Sequence, residues 1–64
     1  MTAWTRLDST EGENHELPAR ASMRAIKAAL GITGRRIVLE AQAGAWRQYR
    51  LTGTAYRFTV TDCN

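Results

Sequence analysis

Apolar and polar residues alternate along residues 35–61, which is the pattern of β-strands because successive side chains of a strand point to opposite faces. Two short breaks, Ala43-Gly44 and Thr52-Gly53, interrupt this alternation and are typical of tight turns. The pattern therefore predicts three strands joined as an antiparallel meander.

The length of each turn decides which side chains of the meander share a face. A three-residue first loop, Gln42-Ala43-Gly44, and a two-residue second loop, Thr52-Gly53, bring the apolar residues together. The resulting apolar face consists of Ile37, Leu39, Ala41, Ala45, Tyr49, Leu51, Tyr56, Phe58 and Val60. In this register Tyr49 and Tyr56 lie opposite each other. We reject a two-residue first loop at Ala43-Gly44, because a shift by one residue mixes apolar with charged side chains.

Residues 17–31 predict a helix. Pro18 suits the first helical position, where its missing N–H would have no intrahelical partner. An apolar stripe at helical spacing follows, made of Ala19, Met23, Ile26 and Leu30. Gly31 fits the left-handed position that ends a helix. We therefore expect one amphipathic helix to pack on the apolar face of the sheet.

Residues 1–16 form an acidic leader. Thr2–Leu7 is interpreted either as a short N-terminal strand or as a frayed terminus, and Asp8–Glu16, which has no apolar residue, as a loop. We expect a single domain over residues 1–64 of the α+β class. It combines one amphipathic helix with a three-stranded antiparallel meander over residues 35–61, with or without the N-terminal strand.

A winged helix-turn-helix is the alternative fold. Residues 29–37 resemble the turn of a helix-turn-helix motif, in which a Gly-Ile-Thr turn leads into a basic recognition helix. That resemblance implies that Arg35 and Arg36 face the DNA major groove and that the last two strands form a wing. The strand-like alternation of residues 36–42 favours the meander.

The charge is unevenly distributed along the chain. Residues 1–16 carry one arginine and four acids, whereas residues 17–61 carry eight cations and only one acid, Glu40. A strongly basic body is typical of proteins that bind nucleic acid or an acidic protein surface. Because cations of the helix and of the sheet contribute to it, both elements are candidates for binding.

Few residues offer catalytic or metal-binding chemistry. The chain has one histidine and one cysteine, His15 and Cys63, without metal-ligand spacing, and it has no glycine-rich phosphate loop. We therefore expect no enzyme activity, no metal and no cofactor. No apolar run reaches the roughly 20 residues that span a bilayer, so no membrane role is expected. The unpaired cysteine favours a reducing compartment, and we expect a cytoplasmic protein.

The candidate binding residues lie on two predicted elements. On the polar sheet face they are Arg36, Trp46, Gln48, Arg50 and Arg57, and on the helix they are Arg20, Arg24 and Lys27. Trp46 is expected to stack on a base while the arginines hold phosphates. The leading hypothesis is a small DNA- or RNA-binding protein.

A protein-interaction module is the alternative function. An inhibitor or accessory protein of the type that phages and plasmids encode would use the same face against an acidic partner surface. Homodimerisation is expected to use the last strand, Thr54–Thr61, as an exposed edge.

Overall fold

Five strands and one helix make up the computed structural model, which describes residues 2–63. In chain order the elements are β1 (Trp4–Ser9), β2 (Asn14–Pro18), α1 (Met23–Leu30), β3 (Ile37–Ala43), β4 (Trp46–Leu51) and β5 (Arg57–Cys63). The strands form one antiparallel sheet in the order β2-β1-β5-β4-β3. The predicted fold, a helix packed on a three-stranded meander, is therefore wrong. The described protein is mostly β, with a single short helix.

The acidic leader supplies most of two further strands: β1 overlaps the N-terminal strand that was one of the two interpretations of Thr2–Leu7, whereas β2 occupies residues expected to form a loop and the start of the helix. β1 is an inner strand that pairs with both β2 and β5, so that Thr5 lies opposite Leu17 on one side and Asp62 on the other. Thr5 and Leu7 alternate inward and are fully buried. The turn between β1 and β2 is stabilised by the Ser9 hydroxyl oxygen, which accepts hydrogen bonds from the N–H groups of residues 11 and 13 at 3.3 and 3.2 Å. The β1–β5 pairing is long-range, and the local β1–β2 hairpin has few apolar residues, which is why the pattern of the leader did not indicate the full arrangement.

The helix is shorter than the predicted range of residues 17–31. Pro18 ends β2, and the helix begins at Met23, where the Ser22 side chain accepts the N–H of Ala25 at 3.1 Å as an N-cap. At the other end, the prediction for Gly31 is confirmed: it adopts the left-handed conformation, with φ 72°. Only two helix residues, Ile26 and Leu30, are buried in the core.

The first hairpin of the predicted meander has a different register. Its loop contains only Gly44 and Ala45, and the pairing shifts between Leu39 and Ala41, where Glu40 forms a β-bulge. The bulge adds one residue to β3 and so offsets the shorter loop. Leu39 therefore still lies on the apolar face, opposite Tyr49. Ala41 instead pairs with Gln48 and therefore lies on the polar face, contrary to prediction.

The second hairpin has a longer loop than predicted, because the Leu51 N–H donates to the Tyr56 carbonyl at 2.9 Å. Tyr49 therefore lies opposite Phe58 and not opposite Tyr56. The rings of Tyr49 and Phe58 stack with centroids 5.3 Å apart. The shift is by two residues, so the apolar side chains remain on their predicted face.

The strand order also corrects two further expectations. β5 lies between β1 and β4, so the last strand is not an exposed edge; the edges are β2 and β3. Residues 37–43 form a strand, which excludes the helix-turn-helix alternative, since its recognition helix would occupy this segment.

The core lies between one face of the sheet and α1. Its buried apolar residues are Leu7, Ile26, Leu30, Ile32, Tyr49, Leu51, Phe58 and Val60. The start of the helix is tied to the sheet because the Ala21 N–H donates to Thr5 Oγ1 at 3.3 Å. No element of residues 2–63 covers the opposite face, which we call the open face.

Candidate functional site

The open face carries one side chain from every second residue of each strand. Trp46 on β4 lies opposite Thr61 on β5, and Thr61 lies opposite Arg6 on β1. Trp4, two residues before Arg6, shares the face and lies opposite Cys63. Both tryptophans are half-buried. Sequence reasoning missed Trp4 and Arg6 because it did not predict that β1 lies inside the sheet, between two other strands, although their alternation with buried Thr5 and Leu7 was a signal.

Three of the predicted binding residues converge on one acid of the same face. Glu40 accepts hydrogen bonds from Arg50 Nε at 2.7 Å, from Arg57 Nε at 2.8 Å and from Gln48 Nε2 at 3.4 Å. The hydrogen bonds from Arg50 and then from Arg57 lower the pKa of the Glu40 carboxyl group below its usual value. The guanidinium groups of Arg50 and Arg57 are thus already engaged by an anion of the chain itself.

The whole open face is balanced in charge. Arg6 Nε lies 2.9 Å from Asp8 Oδ2, and this ion pair raises the pKa of Arg6. Within the strands, the three cations of this face are matched by three acids: Arg6, Arg50 and Arg57 stand against Asp8, Glu16 and Glu40. The open face is therefore polar and aromatic but carries no excess of positive charge.

The excess positive charge lies in the segment that runs through the helix and its two flanking loops. We call residues 20–36 the basic segment; its cations are Arg20, Arg24, Lys27, Arg35 and Arg36. No acid occurs between residues 17 and 39. Among the described residues, none of these five cations lies within 4.0 Å of a carboxylate, whereas Arg6, Arg47, Arg50 and Arg57 in the strands all do.

A depression of about 390 Å³ lies within the basic segment. Its lining consists of Met23, Arg24, Lys27, Thr33 and Gly34. Arg35 follows directly, and its N–H donates to the Ile32 carbonyl at 3.0 Å, which closes the turn after the helix. The depression therefore places two cations, which can bind phosphate oxygens, beside an apolar side chain, Met23.

The eight predicted site residues are not brought together in one place. The helix packs on the core face, so Arg24 and Lys27 lie on the other side of the sheet from the residues around Trp46. Arg20 lies outside the helix, in the preceding turn with φ 56°, where it lines a different depression with Trp4 and Asp62. Arg36 is exposed and comes one residue before β3.

The lone histidine and the lone cysteine lie on opposite faces of the sheet. His15 pairs with buried Leu7 and so faces the core, whereas Cys63 pairs with Trp4 on the open face. A Cys–His pair for nucleophilic catalysis needs hydrogen-bond reach, which this placement denies.

Comparison with protein-family models, with curated proteins and with solved structures gives no match. Within residues 2–63, no helix is long and apolar enough to cross a membrane. What the protein binds must therefore be inferred from the chemistry of its own surfaces.

Proposed function

We propose that the protein is a small, non-enzymatic nucleic-acid-binding protein that contacts phosphates through the basic segment. The observation that carries this proposal is the separation of paired from unpaired cations. Each arginine of the strands lies near an acid of the chain, while the five cations of the basic segment have no such partner among the described residues. A set of cations without internal anions favours an external polyanion as its partner.

An existing ion pair with an acid of the chain raises the free-energy cost of a new contact between that arginine and a phosphate. Arg50 and Arg57 would have to exchange a hydrogen-bonded carboxylate, Glu40, for a phosphate. Arg24 and Arg36 are exposed and would exchange only water and loosely held ions. Release of the counterions that condense on nucleic acid then drives binding. The basic segment is for this reason a better phosphate site than the open face.

The residue types of the segment also indicate the mode of binding. Residues 17–39 contain no aromatic residue, so apart from Trp4, which shares a depression with Arg20, this surface offers no ring on which a base could stack. Contacts from arginine and lysine to phosphates fix position without reading sequence. We therefore expect binding that depends weakly on sequence and that tolerates DNA or RNA duplexes.

A protein-interaction module is the second candidate. It is favoured by the open face, where two half-buried tryptophans, Trp4 and Trp46, lie on a surface of balanced charge. Tryptophan and arginine are the residue types that most often dominate binding energy at protein interfaces. In this alternative the basic segment would add contacts to an acidic partner surface.

Titration of a fluorescently labelled duplex at several salt concentrations tests the proposal. If all five cations contact phosphates, the logarithm of the affinity falls against the logarithm of salt concentration with a slope of about −4.5. Trp46 fluorescence should stay unchanged, since this side chain lies on the face away from the helix. Absence of binding at low salt would reject nucleic acid and leave the protein partner as the remaining candidate.

A further inference from the structure

The two edges of the sheet differ in how well they are protected against pairing with another strand. β2 carries Glu16 and Pro18, and charge and proline are both features that discourage edge-to-edge association. β3 instead begins with three consecutive aliphatic residues, 37–39. Val38 and Leu39 are 40% and 46% exposed, and they are the large apolar side chains that stand out on the described surface. β3 is therefore the less protected edge up to the bulge at Glu40.

The backbone of β3 has free hydrogen-bonding groups at defined positions. The Arg36 carbonyl points towards β4, because it accepts the Thr52 N–H at 3.0 Å. The N–H of Ile37 belongs to the same peptide group and therefore points in the opposite direction, away from β4. Because the direction alternates along a strand, the N–H of Leu39 also points away from β4. Each of these two residues directs its N–H and C=O outwards, until the bulge at Glu40 interrupts the strand.

We propose that two copies of the chain pair antiparallel through residues 36–40 of β3, around a twofold axis at Val38. In this register Ile37 lies opposite the partner's Leu39, so the residues with outward backbone groups exchange hydrogen bonds. Val38 lies opposite its own copy, and Arg36 lies opposite the partner's Glu40. The segment Arg-Ile-Val-Leu-Glu is thus self-complementary: apolar residues meet apolar residues, and each cation meets an acid, whose carboxylate also accepts hydrogen bonds from Arg50 and Arg57 of its own chain.

Neighbouring registers lack this match. A pair centred on Leu39 places Glu40 opposite the partner's Val38, and a pair centred on Ile37 places Arg36 opposite the partner's Val38. Either arrangement sets a charge against an aliphatic side chain and separates Arg36 from Glu40. Charge complementarity therefore selects the register centred on Val38 and selects a second copy of the chain as the occupant of this edge.

The symmetry of the dimer has a consequence for binding. A twofold axis that relates two adjacent antiparallel strands is perpendicular to the sheet, so both helices lie on the same face. The helix cations of the two basic segments, Arg24 and Lys27, then face the same side, which would raise the number of phosphate contacts per particle, while Arg36 lies in the interface. This consequence rests on the proposed function, whereas the dimer itself does not.

Sedimentation velocity over a range of protein concentrations, without nucleic acid, tests the dimer. We expect the mass to rise with concentration from 7.2 kDa towards twice that value. In Val38→Glu, two carboxylates would meet at the twofold axis, and the protein should remain monomeric at all concentrations. The folded monomer should tolerate this change, because residue 38 is exposed and lies opposite Arg50. Gln42→Glu is the matched control: it adds the same charge to β3 beyond the bulge and should dimerise like the native chain.

Hydrogen exchange locates the interface independently. The amides of Ile37 and Leu39 should become protected as the concentration rises, while the amides of β2 should not respond. A native chain that stays monomeric at millimolar concentration, or a Val38→Glu variant that dimerises as strongly as the native chain, would overturn the proposal. Protection of β2 in place of β3 would do the same. None of these results bears on nucleic-acid binding, so the two proposals can fail separately.

Discussion

Replacement of Leu7 by alanine tests whether the N-terminal residues form an inner strand of the sheet. Leu7 is fully buried in the core, and it lies opposite Val60 on one side and His15 on the other. Truncation of a leucine at such a site costs about 2–5 kcal/mol, because the lost burial is added to the cost of the cavity. A chain of this length has a total free energy of unfolding of about 3–10 kcal/mol. The variant should therefore lose a large part of its stability.

Urea denaturation followed by circular dichroism measures this loss. With a slope of about 1 kcal/mol per molar urea, the midpoint should fall by about 2 M or more, and the thermal midpoint by about 10 °C or more. Arg6→Ala is the control, because Arg6 is the neighbouring residue of β1 but points to solvent. It should leave the midpoint almost unchanged. Equal midpoints for Leu7→Ala and the native chain would refute the position of β1 inside the sheet and would favour a frayed N-terminal segment.

Three further predictions concern the helix, the acid cluster and the open face. Ser22→Ala removes the N-cap hydrogen bond to Ala25 and should lower the free energy of unfolding by about 1 kcal/mol in urea titrations, whereas Ser22→Asp should retain most of it. The folded-state pKa of Glu40 is depressed, so its ion pairs stabilise the protein above the unfolded-state pKa of about 4.3, and this stabilisation is lost as the pH falls through the folded-state value. The free energy of unfolding, measured between neutral pH and pH 2, should therefore depend less steeply on pH in Glu40→Gln than in the native chain. An unchanged pH dependence would contradict the stabilising role of the Glu40 ion pairs. Trp46→Ala should leave duplex affinity unchanged within twofold but should abolish binding to a protein partner of the open face, as a pull-down against candidate partners would show.

The meander was predictable because its information is local. Strict alternation along β4 and β5 places Tyr49, Leu51, Phe58 and Val60 on the core face, as the sequence predicted. Errors in the two loops did not change this assignment. The bulge at Glu40 compensates for the shorter first loop, and the second loop shifts the pairing by an even number of residues.

The strands of the leader were predictable only in part from local pattern: a strand near β1 was one of two interpretations, and β2 was not predicted. β1 owes its position to pairing with β5, across nearly the whole length of the chain, and contributes Leu7 as its one aliphatic core residue. β2 contributes only Leu17, beside a histidine and a glutamate. β1 shows only a weak strand signal and β2 shows none, and the tertiary pairing decides their structure. Pro18 was misread as a helix start for the same reason, since proline also suits an edge strand.

The site was predictable in part. The alternation already placed Glu40 on the same face as Arg50 and Arg57, so neutralisation of these arginines could have been inferred from the sequence. Asp8 and Glu16 could not be placed there, because their strands were not recognised. The clustering of unpaired cations in the basic segment depends on where the acids fold, and only the complete sheet reveals it.

The most direct test of nucleic-acid binding through the basic segment compares two double variants of equal net charge. Arg24→Gln with Lys27→Gln removes two unpaired cations of the helix, whereas Arg6→Gln with Arg57→Gln removes two paired cations of the open face. Duplex affinity is measured by fluorescence anisotropy across a salt series, after circular dichroism has shown that both variants are folded. The affinity of the helix variant should be lower by about tenfold per lost contact at 0.1 M salt. The slope of the logarithm of affinity against the logarithm of salt concentration should be shallower by about 1.8. The open-face variant should bind like the native chain, and an equal loss in both variants would contradict the account.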